Sequence, residues 1–115
     1  RGPMNENPLD PCLASLQNFD SDDNLSKQIQ AIYYALDADG SESLSFEEMN
    51  EGLRKIAGFE SVDMHEEDFE KFTQGRTLLD DQGGMTHEQF EQAMRAELRD
   101  YIIRQIGITT AIHAS

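Results

Sequence analysis

Residues 37–48 read Asp-Ala-Asp-Gly-Ser-Glu-Ser-Leu-Ser-Phe-Glu-Glu, and in this stretch oxygen-bearing side chains recur at positions 1, 3, 5, 9 and 12 of a twelve-residue loop. A hard cation such as Ca²⁺ takes about six to eight oxygens at roughly 2.3–2.6 Å, and this spacing can supply them. Asp37, Asp39 and Ser41 would each give one side-chain oxygen, and Ser43 its backbone carbonyl. Ser45 would act directly or through water, and Glu48 would close the cage with both carboxylate oxygens. One ion is expected, with Mg²⁺ as a competitor. Leu44 at position 8 is apolar, as suits a short stretch pairing with a second loop. The same residues have a plainer reading. Ser45-x-x-Glu48 is a capping box that starts a helix without metal, and Asp, Gly and Ser are ordinary loop residues.

The loop needs a helix on either side. Upstream, Leu25, Ile29, Ile32, Tyr33 and Leu36 recur with a period near 3.6, predicting a helix over 22–36. Downstream, Phe46, Met49, Leu53 and Ile56 predict an exit helix over 46–57, with Gly58 at its C-terminal turn. Further on, Asp63 with Glu66 three residues later predicts a capped helix that buries Phe69 and Phe72 and ends near Gln74-Gly75. A last helix is expected over 86–106, with Phe90, Met94, Leu98, Tyr101, Ile102 and Ile106 as its apolar stripe and Gly107 as its stop. Its part beyond Leu98 could pack back, associate with another copy, or join a larger protein. Its basic side chains are read as a solvated face. Near the N-terminus, Asp10-Pro11 signals a helix start, and a short helix through Phe19 would bury Leu13, Leu16 and Phe19. Residues before it read as loose.

Residues 83–90 repeat the tail of the first loop. Met85 aligns with Leu44, Thr86 with Ser45, Gln89 with Glu48 and Phe90 with Met49. One such unit cannot cover its own apolar face, whereas two bury a shared core. Counting back from Met85 puts Leu78 where the first carboxylate is needed, and Gln89 is neutral where the closing anion is needed. Asp80, Gln82 and Thr86 remain as donors. This loop therefore reads as structural. The competing view is an unusual site formed by Asp80, Asp81 and Glu88. A third stretch, Asp20-x-Asp22-x-Asn24, opens like a cation loop but continues with Leu25, Lys27 and Ala31, so it reads as a helix cap.

The first loop, with Leu44 and its two helices, resembles the EF-hand, the calcium-binding unit of calmodulin-like proteins. The resemblance covers roughly residues 25–98. It implies an all-α EF-hand pair with a short β pairing between loops, an extra N-terminal helix and an extended C-terminal helix. The units would be a tag remnant and flexible N-terminus over 1–10, a domain over 11–106 (hands about 22–57 and 63–98) and a tail over 107–115. The sequence departs from the family at Glu42, where Gly usually supplies a turn with φ > 0. This substitution should cost about 1 kcal/mol and weaken binding without abolishing it. The resemblance implies a calcium-responsive regulatory module with one working site. Ca²⁺ would draw Glu48 toward Asp37 and Asp39 and re-aim the exit helix. The rival is a constitutive interaction or oligomerisation module that calcium merely stabilises. A degenerate second hand on a long helix resembles EF-hand segments of larger proteins, including cytosolic parts of ion channels. The implied partner is another protein or a neighbouring segment of the host chain.

Composition sets outer limits. The chain has 115 residues, 23 acidic and 9 basic, for a formal charge of -14. Such acidity argues against nucleic-acid binding and against docking on anionic membranes, and suits a cation or a basic helix. Single Cys12 excludes an internal disulfide, and a reducing, cytoplasmic setting is expected. No run of residues reads as a membrane span or a signal peptide. Arg1-Gly2-Pro3 before Met4 reads as a cloning remnant, and the chain as an excised piece of something longer. Cys12 lacks a catalytic partner, and His65, His87 and His113 are not at metal spacing, so no enzyme is expected. His87 is expected to be exposed. Met49, Met64, Met85 and Met94 read as core filling or as an adaptable groove.

Overall fold

The computed structural model describes residues 8–16, 18–37 and 39–114, with side chains as far as residue 106. The fold is all-helical, with α1 at Asp10–Leu16, α2 at Asp22–Leu36, α3 at Phe46–Arg54, α4 at Glu66–Phe72 and α5 at His87–Ala114. Among the described residues, β pairing is confined to one antiparallel bridge between Leu44 and Met85. Each donates its N–H to the other's carbonyl at 2.9 Å. Arg1-Gly2-Pro3 and the side chain of His113 lie outside the described residues.

α2 packs against α3 and α5, and α1 and α4 also lie against α5. The core runs through all five helices and includes Ile29, Tyr33, Leu36, Leu44, Leu53, Phe72, Met85 and Phe90. Met49, Met64, Met85 and Met94 are all buried in it, so these thioethers fill the core.

Several helix limits differ from the sequence expectation. The N-terminal segment is not loose as far as Asp10. Leu9 is buried, and its carbonyl accepts the Leu13 N–H at 2.9 Å, which places Asp10 inside the helix. α1 closes at Leu16, and Phe19 packs on the core from outside it. α2 starts after Ser21, whose hydroxyl accepts the Asn24 N–H at 3.1 Å.

α3 stops at Arg54, short of the expected 57, and α4 starts at Glu66 without Asp63 as its cap. Both shifts have one cause. The Asn50 amide clamps the Met64 backbone, accepting its N–H at 3.0 Å and donating to its carbonyl at 3.2 Å. Arg54 donates to the Val62 carbonyl at 2.9 Å and pairs with Asp63 at 2.8 Å. These bonds take residues 62–64 out of helix and send Val62 and Met64 into the core. Asp68 takes over at the start of α4, accepting the His65 N–H at 2.9 Å. Beyond Phe72 the backbone turns through positive φ at Gln74, Gly75 and Arg76, which ends α4.

α5 continues through Gly107 to Ala114. One glycine inside a helix costs only about 1 kcal/mol relative to alanine, less than many flanking turns can absorb. Its basic side chains are not simply a solvated face. Arg95 reaches back to α2, pairing with Asp22 at 2.8 Å and with Glu91 at 3.0 Å, while Ser26 donates to Glu91 at 2.6 Å. Arg104 pairs with Asp10 of α1 at 3.0 Å, so α5 packs back on its own domain to this point. Ile106, the last residue of the expected apolar stripe, is exposed, as is Ile103. No helix among the described residues is long and apolar enough to cross a membrane.

Candidate metal centre

The last turn of α2 delivers Asp37. Its N–H bonds to the Tyr33 carbonyl at 2.9 Å, so the residue closes the helix while its side chain enters the loop. Asp37 is 6% exposed, one of the few buried polar residues among those described. A buried carboxylate must be compensated. Here the Glu42 N–H donates to Oδ2 at 2.8 Å and the Ser41 hydroxyl approaches Oδ1 at 3.4 Å. Asp39 is exposed, and the Ser41 N–H donates to its Oδ1 at 3.0 Å. That backbone bond, reinforced by the Ser41 hydroxyl, holds the Asp39 carboxyl below its ordinary range.

Two left-handed residues let the loop fold onto these carboxylates. Gly40 has φ 67° and Glu42 has φ 62°. For Gly40 the conformation is easy; for Glu42 it costs about 1 kcal/mol. The turn expected at position 42 is thus present, formed by a residue ill suited to it. The Ser41 hydroxyl lies centrally, 3.4 Å from Asp37 Oδ1 and 3.3 Å from the Ser43 carbonyl. It has one proton for three acceptors, Asp37, Asp39 and the Ser43 carbonyl, so its bonding in this loop is divided.

α3 brings in Glu48. Ser45 Oγ accepts the Glu48 N–H at 3.2 Å, and Glu48 Oε1 accepts the Ser45 N–H at 3.0 Å. This capping box fixes the first turn of α3 and holds the Glu48 carboxylate beside the loop. An oxygen bonded to one N–H retains a second lone pair. The cap therefore positions Glu48 without exhausting it.

Asp37, Asp39 and Glu48 each offer a carboxylate oxygen within 4.8 Å of the other two. Two oxygens on opposite sides of a Ca²⁺ would be separated by about 4.6–5.2 Å. The triangle therefore has the span of a single cation's ligand shell. Three carboxylates this close repel one another, most strongly at the buried Asp37, where solvent screens least. A divalent cation would convert that repulsion into attraction. The Ser41 hydroxyl lies between Asp37 and the Ser43 carbonyl, whereas Ser45 Oγ serves the cap.

The second loop lacks this convergence. Leu78, in the place of Asp37, is buried in the core. Asp80 Oδ1 accepts the N–H groups of Gln82 at 2.8 Å and Gly84 at 3.0 Å. The Gly84 N–H, then the Ser43 hydroxyl, hold its carboxyl below the ordinary value. Gln89 Oε1 accepts the Thr86 N–H at 2.9 Å, repeating the cap of the first loop. Among the described residues, Asp80, Asp81 and Glu88 do not form a three-ligand cluster.

Three features were not anticipated from the sequence. The Tyr33 hydroxyl donates to the Met85 carbonyl at 3.0 Å, tying α2 to the bridge between the loops. A buried tyrosine must place its hydroxyl, so its position on the inner face of α2 was the available signal. Gly84 passes so close to the first loop that a Cβ there would lie 3.0 Å from the Ser43 carbonyl carbon and 3.2 Å from Leu44 N. His87, expected to be exposed, is half-buried and stacks on Tyr34 with ring centres 5.9 Å apart.

Compared with protein-family models, with curated proteins and with solved structures, the chain matches none.

Proposed function

We propose that the chain is a calcium-binding regulatory module of the EF-hand kind, with one working site in residues 37–48. In this reading Asp37, Asp39, Ser41, the Ser43 carbonyl and Glu48 hold one Ca²⁺, with Ser45 acting directly or through water, and the second loop is structural. The observation that carries it is the carboxylate triangle of Asp37, Asp39 and Glu48, within 4.8 Å and drawn from both ends of one loop. Leu44 and Met85 join the loops back to back, so ligand movement in the first has a direct path to the second. Calcium would pull Glu48 further onto Asp37 and Asp39 and tilt α3 against α2. The response is read by another protein or by a neighbouring segment of a larger host chain. A channel host is one such setting, and that part rests on resemblance alone.

A second reading is a constitutive interaction module that calcium merely stabilises. It is favoured by the burial of Met49, Met64, Met85 and Met94, which leaves no methionine-lined groove among these four. Calorimetric titration tests the shared premise. One Ca²⁺ per chain is expected; absence of binding overturns both readings, and two ions revive the second loop. Amide spectra with and without calcium then separate them. Shifts reaching Met94 and Leu98 on α5 support the switch, and shifts confined to 37–48 support the constitutive module.

A further inference from the structure

α1 is built like a ligand. Leu9, Cys12, Leu13 and Leu16 fall at i, i+3, i+4 and i+7, and all four are at most 1% exposed. This is the spacing with which a separate amphipathic helix lies in the groove of a receptor. The seven-residue helix is too short to be stable alone, so it is helical because it is docked. It lies against α5, where Asp10 pairs with Arg104 at 3.0 Å. The connection to α2 at residues 18–21 is non-helical and mostly exposed. Apolar anchors, an ion pair from Asp10 to Arg104 and a non-helical connection that touches the core through Phe19 are the parts of an intramolecular complex.

We propose that α1 is a built-in occupant of a docking groove beside α5, and that a partner's amphipathic helix takes the groove when α1 leaves. The partner helix would carry large apolar residues at i, i+3, i+4 and i+7 and a carboxylate at i+1 for Arg104. The formal charge of -14 favours basic residues on its outward face. A short tether holds α1 at an effective concentration on the order of millimolar, which the partner must match. The inference stands apart from the cation reading, because it uses none of the loop residues.

Cys12 reports on the exchange in the intact chain. Its thiol is fully buried, and burial pushes its pKa up to about 12, so it should resist a disulfide reagent while α1 is docked. A peptide with the sequence of residues 8–21 and Cys12→Ser is added, in EDTA and again in calcium. Labelling of Cys12 should accelerate at least tenfold at about millimolar peptide, while the helical signal is retained. The same peptide with Leu13→Asp should have no effect. Labelling that ignores the peptide and follows only global unfolding overturns the proposal. In a second arm, the intact chain with Leu13→Asp should bind the fluorescent peptide at least tenfold more tightly than the unaltered chain. If this variant is unfolded, added peptide should restore its helical signal. A folded variant that does not bind, or an unfolded one that peptide does not rescue, makes α1 ordinary core and ends the argument.

Discussion

The two loops share a scaffold and differ in charge. Each ends in a reciprocal cap, Ser45 with Glu48 and Thr86 with Gln89, with side-chain-to-backbone distances of 2.9–3.3 Å. Each contributes one residue to the bridge, Leu44 or Met85. The first loop gathers three carboxylates, whereas the second buries Leu78 and spends Asp80 on its own backbone. Helix initiation and loop pairing therefore do not need the charges. In the second loop Asp80 serves the fold, and in the first the carboxylates are arranged against their own repulsion.

Glu48→Gln breaks this difference most directly, since it gives the first loop the neutral cap of the second. Calcium affinity should fall on the order of 100-fold or more, because an anionic ligand is lost. Stability in EDTA should change by less than about 1 kcal/mol, because glutamine can still cap. Calorimetry and a urea melt check the two halves; retained affinity would remove Glu48 from the site.

Gly84→Ala tests the shared part. A Cβ there meets the backbone of Ser43 and Leu44, and backbone cannot rotate away as a side chain can. A loss of about 1–3 kcal/mol is expected on urea denaturation. An unchanged midpoint would mean that the loops do not need this approach.

Glu42→Gly should sharpen the first loop. Its φ of 62° is easy for glycine, so relief of about 1 kcal/mol should tighten calcium binding about fivefold. Weaker binding by the variant would contradict the strain argument.

The smallest effect concerns acid. The Asp80 carboxyl is held below its ordinary 3.8, chiefly by the Gly84 N–H. A depressed folded-state pKa contributes stability above the unfolded value, and that contribution disappears as pH falls through the folded value. Stability of the unaltered chain should therefore drop below about pH 4, and Asp80→Asn should flatten that limb of urea melts run from pH 5 to 3. An equally steep limb in the variant would assign the acid sensitivity elsewhere, with Asp39 and Glu91 as candidates because hydrogen bonds also hold their carboxyls low.

The helical class, the limits of α2, the candidate ligands and the register that sets Met85 against Leu44 were legible before any contact was known. These follow from periodicity, capping chemistry and residue spacing, all of which act over a few residues. Tertiary structure alone decided where α3 ends and α4 begins, because Asn50 and Arg54 bond to backbone groups 8 to 14 residues away. It also decided that Tyr33 serves the bridge, that Arg95 and Arg104 pair with α2 and α1, and that Leu9 belongs to the core. Such contacts join groups up to 94 residues apart, and their partners are chosen by how the whole chain packs, which no local pattern encodes.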